Sequence, residues 1–280
     1  MRLIEPKAEQ LIQKPGIEGV YEIIDQVAGI CYDRKELHKD SRTFVENLID
    51  NKHLSPLEFG TIYLKIPYNT SYELDLHSSR FEEYCIVSID TKWLYVSTNY
   101  RQIIENECLD YLCYMCEPTE YHVSRPCFIF TCSRAIADEF ARHRTMSVMI
   151  KSTRYCKVDD LEICRPKWIK QHHGFLTKDD LDKIIEGCDN PDYIPMDLYW
   201  WWYNMYQAED MYKSLIKSGL KPQQARGVLP MDMATTLCMC GFWQHGNSNE
   251  GWDRFLKMRC EKSAHEDAQY LANQVKEILL

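Results

Sequence analysis

Between Phe140 and Val158 the chain carries five basic residues, Arg142, Arg144, Lys151, Arg154 and Lys157, and no acidic one. The protein as a whole is acidic, with 33 basic and 42 acidic residues and a formal net charge of −9. A solvated face normally mixes signs, so unmixed arginines in an acidic chain point to a bound anion. Planar guanidiniums grip phosphate bidentately and keep their charge near neutral pH. Arg142, Arg144 and Arg154, with the hydroxyls of Ser152 and Thr153, would make a phosphate cradle; the other possibility is an arginine ladder paired with acids elsewhere. There is no Walker A or GxGxxG pattern, so neither common nucleotide-binding loop explains the cluster.

Other chemistry is less concentrated. His53, just before "SPLE", could stack on a ligand ring or sit beside a turn. No cysteine or serine is spaced with a base so as to single out a nucleophile. Cys113 and Cys116, with Cys108 just before them, make only half of a zinc pattern, and the adjacent His172 and His173 suit an exposed loop. No metal ligand set is assigned. Thirteen cysteines, an odd and scattered set, read as free and mostly buried thiols.

These residues need a scaffold, and 280 residues with 45% hydrophobic and 27% charged content can bury a sizeable core. The pI near 5.5 argues against a general binder of nucleic acid or anionic membrane. No apolar run approaches the roughly eighteen residues that cross a bilayer, and "MRLIEPKAEQ" lacks an apolar signal core. The cytoplasm is the compartment expected.

Residues 42–51 place Phe44, Val45, Leu48 and Ile49 on one helical face, and "GTIYLKIP" alternates as a strand that ends at Pro67. Residues 68–125 hold strand-like "CIVSID" and "WLYVST" and then a helical "RQIIENECLDYLCYM", together read as a surface elaboration. "CFIFTC" follows Pro126 as a buried strand or helix entry. Ser133 is expected to cap a helix that runs to about Ala141 and delivers Arg142 to the basic loop. Thr177 and Asp180 should cap a helix ending near Gly187. A helix over about 197–218 carries an aromatic stripe, Trp201, Trp202 and Tyr212 among it, suited to core or subunit interface, and stops at Gly219. Pro222 suits a short helix carrying Arg226. Ser263 and Glu266 form a capping box for a last helix with Leu271, Val275 and Leu279 on one face. The fold class read from this is α+β, mixed α and β in a single domain, helices packed on a small sheet, with an insertion over about 68–125.

"RHRTMSVMIKSTRY" at 142–155 resembles the RHR-x7-S signature of the flavin-dependent thymidylate synthases (ThyX), with Ser152 at the required spacing. "FVENLIDNKHLSPLEF" resembles that family's helix and H-x-[ST]-P-x-E segment. "KSLIKSGLKPQQARGVLP" is similar to its A-R-x-x-L-P stretch, and "FLKMR" to the segment supplying its catalytic arginine. About 200 residues are covered, leaving out 68–125 and much of 156–195.

The resemblance implies a homotetramer with sites built from several chains, and FAD as cofactor with NADPH as reductant. Methylenetetrahydrofolate would be the carbon donor and dUMP, or a related pyrimidine nucleotide, the acceptor at C5, giving dTMP. By position, His53, Ser55, Arg142, His143, Arg144 and the backbone at Ile150 would hold FAD. Glu139, Arg142, Ser152, Thr153 and Arg154 would bind the nucleotide, and Arg226 would reach its phosphate from a neighbouring subunit. Arg259 would be the catalytic residue, at the pyrimidine edge, a fixed cation that stabilises charge as N3 ionises.

Four positions depart from the pattern. Met149-Ile150 replaces Asn-Glu, Glu139 replaces a glutamine, the Asn-x-Arg pair before the catalytic arginine has no counterpart, and His265 replaces glutamine. An ionised carboxylate only accepts hydrogen bonds, so Glu139 beside a nucleotide must pair with an arginine, be protonated, or meet a donor such as an exocyclic amine. Two other readings therefore stay open: one-carbon modification of another pyrimidine nucleotide, such as hydroxymethylation, with or without flavin, and a catalytically silent nucleotide-binding paralogue.

Overall fold

The computed structural model describes residues 1–81, 84–169 and 196–280. The helix expected between Thr177 and Gly187, and His172-His173, lie outside the described residues. In chain order the strands are β1 (Arg2–Ile4), β2 (Lys7–Leu11), β3 (Thr61–Pro67), β4 (Ile86–Ile89), β5 (Trp93–Asn99), β6 (Cys127–Ser133), β7 (Ser147–Ile150), β8 (Glu162–Cys164) and β9 (Ala234–Cys240). The helices are α1 (Gly16–Ile30), α2 (Ser41–Asp50), α3 (Ser71–Ser78), α4 (Tyr100–Glu105), α5 (Arg134–Phe140), α6 (Met196–Lys217), α7 (Pro222–Ala225), α8 (Gly251–Arg259) and α9 (Glu266–Leu279). This is an α+β protein.

An antiparallel sheet in the order β2-β6-β9-β7 carries the site. β6 alternates so that Phe128, Phe130 and Cys132 meet the underside of α5, α8 and α9, where Phe140, Trp252, Phe255, Leu271 and Val275 are fully buried. Each such side chain contributes about 1.5–3 kcal/mol by leaving water. Trp252 also donates its indole N–H to the Pro126 carbonyl at 2.9 Å, which ties α8 to the start of β6.

The stretch read as an elaboration supplies β4 and β5, which join β3 in a second antiparallel sheet, ordered β3-β5-β4, with a core of its own in which Ile62, Leu64, Ile66, Leu94 and Val96 alternate inward. Helix α1 lies between the two sheets. Val20 and Ile24 pack on the smaller one, while Ile23, Val27 and Ile30 pack on Cys127, Cys238 and Cys240 of the larger. This helix is absent from the sequence reading, although its apolar residues recur at helical spacing. A third, two-stranded parallel sheet pairs β1 with β8.

Two local expectations are corrected. "RQIIENECLDYLCYM" is not one helix: α4 stops at Glu105, Glu107 turns left-handed at φ 55°, and a 3-10 helix follows over Leu109–Tyr114. At the last helix the cap is His265, whose ring accepts from the Asp267 N–H at 3.2 Å, in place of Ser263. The aromatic stripe of α6 divides. Trp202 and Tyr212 are buried, Trp201 donates to Asp232 at 2.7 Å, and Trp200 and Met211 are exposed.

Candidate active site

The basic loop is placed by a short relay of elements. Ser133 ends β6 and caps α5, its hydroxyl accepting from the Ile136 N–H at 3.3 Å. After seven residues α5 gives way to tight turns, His143 N–H to the Phe140 carbonyl at 3.1 Å and Met146 N–H to the His143 carbonyl at 3.1 Å. These turns expose Arg142 and Arg144 and send His143 inward, its ring 5.1 Å from that of Phe255. From the other side, α8 brings Arg254 and, as its last residue, Arg259. The two elements are pinned at Gly251, whose N–H donates to the Thr145 hydroxyl at 3.0 Å.

Arg259 is held at three points. Its guanidinium pairs with the Glu139 carboxylate, donates to the Glu139 carbonyl at 3.1 Å, and donates through Nε to His143 Nε2 at 3.0 Å. The Nε2 of His143 must therefore be unprotonated. Burial, with Arg259 and Arg254 nearby, lowers the His143 pKa to about 4, which keeps the ring a neutral acceptor. Glu139 thus finds its partner in an arginine, the first of the three ways a carboxylate there could be accommodated.

Arg142, His143, Arg144, Arg254 and Arg259 line one cleft of about 370 Å³. Among the described residues Arg142, Arg144, Arg154 and Arg254 have no carboxylate partner, whereas Lys151 pairs with Asp33 at 2.6 Å and Lys157 with Asp159 at 2.9 Å. The acid partners found in this stretch belong to its lysines, and the arginines without a described acid partner suit an anion.

A second group sits beyond the far end of β7. Ser152 is anchored by its N–H to the Cys31 carbonyl at 3.1 Å, its hydroxyl accepts from the Arg154 N–H at 3.2 Å, and Arg154 lies over the Tyr155 ring. Arg226, just after α7, donates to the Thr153 hydroxyl of the same chain at 3.3 Å. So Ser152, Thr153, Arg154 and Arg226 come together within one chain, apart from the cleft that holds Arg142, His143, Arg144 and Arg259.

His53 and Ser55 join neither group. The His53 N–H closes α2 on the Leu48 carbonyl at 2.8 Å, Ser55 opens a 3-10 turn, and both side chains are exposed. Met149 is buried, 3.0 Å from the Cys31 thiol, and Ile150 packs on the main core, so their side chains point into the interior. Every described cysteine is a free thiol, and no group of three or more metal-ligating side chains occurs among the described residues. The sequence reading missed Arg254, whose signal was its place in "DRFLKMR", and the buried Arg125, which had none.

Residues 94–280 match the family described as thymidylate synthase complementing protein, two-thirds of the chain. The chain belongs to that family. The match begins inside β5, so it takes in the latter part of the 68–125 stretch. Among curated relatives, a flavin-dependent thymidylate synthase of Synechocystis sp. is 25% identical over 158 residues, 54% of this chain and 63% of the relative. A probable flavin-dependent thymidylate synthase of Paramecium bursaria Chlorella virus 1 is 26% identical over 152 residues, 53% of this chain and 62% of the relative. The chain thus spans a little over three-fifths of each relative's length. Within this family it is a divergent member, as Met149-Ile150 and Glu139 already indicate. No helix among the described residues is long and apolar enough to cross a membrane.

Proposed function

We propose that the protein is a flavin-dependent thymidylate synthase, moving the one-carbon unit of methylenetetrahydrofolate to C5 of dUMP to give dTMP. The convergence of Arg142, His143, Arg144 and Arg259 on one cleft, three of whose guanidiniums have no acid partner among the described residues, carries the reading. Two separate anion-suited groups fit a reaction that holds a nucleotide phosphate and a cofactor pyrophosphate at once.

The donors present suit the phosphates of FAD. Arg142 and Arg144 would hold the pyrophosphate, with Arg254 in reach of it, while positions 149 and 150 offer only backbone because their side chains face the interior. When bound, and reduced by NADPH, FAD would supply the hydride and the means of carbon transfer. Ser152, Thr153, Arg154 and Arg226 would bind the nucleotide phosphate. Arg259 would stand as a fixed cation against charge developing on the pyrimidine, where a preorganised donor is worth most. His143 and Glu139 position it, the neutral ring by accepting from Nε and the carboxylate by ion pairing. The exposure of His53 and Ser55 away from the cleft supports a homotetramer in which another chain brings them to the flavin.

The Glu139–Arg259 pair favours uracil over an alternative base, since the carboxylate no longer needs an exocyclic amine. Titration of the protein with FAD, with and without dUMP, tests the proposal. Flavin binding that dUMP strengthens is expected. No binding at any reasonable FAD concentration would overturn the flavin-dependent reading. Arg259→Ala should then abolish turnover while leaving flavin bound.

A further inference from the structure

A second cavity of about 220 Å³ lies next to the arginine cleft and shares Arg144 and Thr145 with it. Its distinctive residue is Arg125, in the connection between the smaller sheet and β6. Arg125 is only 7% exposed. Its guanidinium donates to the Ser147 hydroxyl at 2.9 Å and to the Cys240 sulfur at 3.2 Å, and stands 5.9 Å from the centre of the Phe242 ring. None of these partners is negative. Burial raises the Cys240 pKa well above its ordinary value, so that sulfur remains a neutral thiol.

A buried cation without a counter-charge is costly, and folds normally answer it with a carboxylate. Here none of the described carboxylates lies within salt-bridge distance of Arg125. The two acids on the cavity wall, Glu58 and Glu105, are both engaged by Arg101, at 2.7 and 2.9 Å. They leave one net negative charge on the Arg101 wall, so an entering anion would favour the opposite side. There Arg125 and Arg144 supply two cations, and Ser147 and Thr145 supply hydroxyls.

The geometry points to a phosphate-binding pocket, in which Arg125 and Arg144 complete their charge balance on a phosphate group carried by a small molecule. The volume admits a pyrophosphate or a phosphate with part of its sugar, and excludes a whole dinucleotide. The phosphate has two possible sources, a ligand reaching across Arg144 from the neighbouring cleft or a separate phosphorylated molecule. The pocket stands on Arg125 and its surroundings and does not require the activity proposed above.

Inorganic pyrophosphate is the probe, titrated calorimetrically into the full chain at low salt. Arg125→Gln should weaken binding at one class of sites roughly 10- to 100-fold, the loss expected for a buried charge-assisted contact, and Arg125→Lys should recover part of it. The apo Arg125→Gln protein should melt no lower than wild type, since an uncompensated buried charge is removed. Unchanged pyrophosphate binding in the folded variant would overturn the pocket. Wild-type crystals soaked in tungstate, a heavy phosphate mimic, give an answer independent of any variant's folding: an anomalous peak between Arg125 and Arg144 is expected, and its absence overturns the proposal. Repeating the titration with saturating FAD separates the sources. Loss of the Arg125-dependent class assigns the phosphate to the ligand in the neighbouring cleft, and its survival assigns a separate one. Failure of FAD to bind would count against the flavin reading and leave this test intact.

Discussion

The Glu139–Arg259 pair decides whether the unusual carboxylate is spoken for, and a double-mutant cycle measures it. The Arg259 side chain is 13% exposed and that of Glu139 30%, so the pair is neither a free surface contact nor a dry one. Exposed pairs couple by roughly 0.2–1 kcal/mol, and hydrogen bonds to charged groups are worth roughly 1.5–3 kcal/mol. A coupling of about 1.5 kcal/mol lies between these limits. Glu139→Gln keeps the side chain's shape and an acceptor oxygen and leaves the main-chain contact to Arg259 at 3.1 Å untouched, so the cycle reports mainly the charge. Glu139→Gln should cost about 1.5 kcal/mol in the wild type and close to nothing beside Arg259→Ala. Urea unfolding of the four proteins at neutral pH and low salt gives the coupling from their midpoints. A value under about 0.5 kcal/mol would refute the reasoning. Glu139 would then be free to accept from a substrate amine, and the reading with a different pyrimidine base would regain its ground.

Two further outcomes follow from the same site. The folded His143 ring takes its proton only near pH 4, whereas the unfolded ring takes it near the ordinary 6.5. Between those values the unfolded chain binds more protons, so stability is full above pH 6.5 and falls as the pH drops to 4, by about 3 kcal/mol at most. His143→Gln, which retains an acceptor for Arg259, should flatten that part of the stability–pH curve; an unchanged slope would remove His143 as its cause. Gly251 sits at φ +53° with a would-be Cβ 2.3 Å from the Phe242 carbonyl oxygen, while Gly246, at φ +85°, has open space. Gly246→Ala should cost about 1 kcal/mol from backbone strain alone, and Gly251→Ala about 1–2 kcal/mol more by shifting the start of α8. Equal losses in urea unfolding would mean the close approach is absent in solution.

What could be read from the sequence was whatever repeats locally or carries unusual charge. The cap at Ser133, the helix that ends before Arg142, the strand over Thr61–Pro67 and the long helix ending before Gly219 rest on neighbours within a few residues, and they stand where expected. Arg142, His143, Arg144 and Arg259 line one cleft although 115 residues separate Arg144 from Arg259, and it was the unmixed charge of the first group that drew attention to them in the sequence. Arg125 was illegible for the opposite reason. A lone arginine before a proline looks like any surface cation until the fold puts Ser147 and Cys240 against it. Glu139 looked like a liability because its partner lies 120 residues away. The split of 101–115 turned on one left-handed residue, Glu107, a conformation glutamate rarely signals.

The spacing in the basic stretch has a physical cause once β7 is in view. Arg142 and Arg144 lie in the turns that enter this edge strand, and Ser152 and Arg154 lie in the loop that leaves it. A four-residue strand covers roughly 13 Å at about 3.3 Å per residue. Two groups of guanidiniums and hydroxyls joined by a flexible loop could collapse onto each other. Joined by a strand that pairs Ser147–Ile150 with Leu237–Cys240, they are held apart at a fixed separation. Inward residues of the strand, Met149 among them, bury their side chains between the sheet and α1, and that burial fixes the register. A slip of one residue would move Met149 from the α1 face to the opposite face, where Val148 and Ile150 pack on the main core, and swing Ser152 away from the Cys31 carbonyl that anchors it. The replacement of a polar pair by Met149-Ile150 therefore has a structural consequence: it strengthens the register of the strand that sets the distance between the two sites, while leaving contact with any ligand there to the backbone.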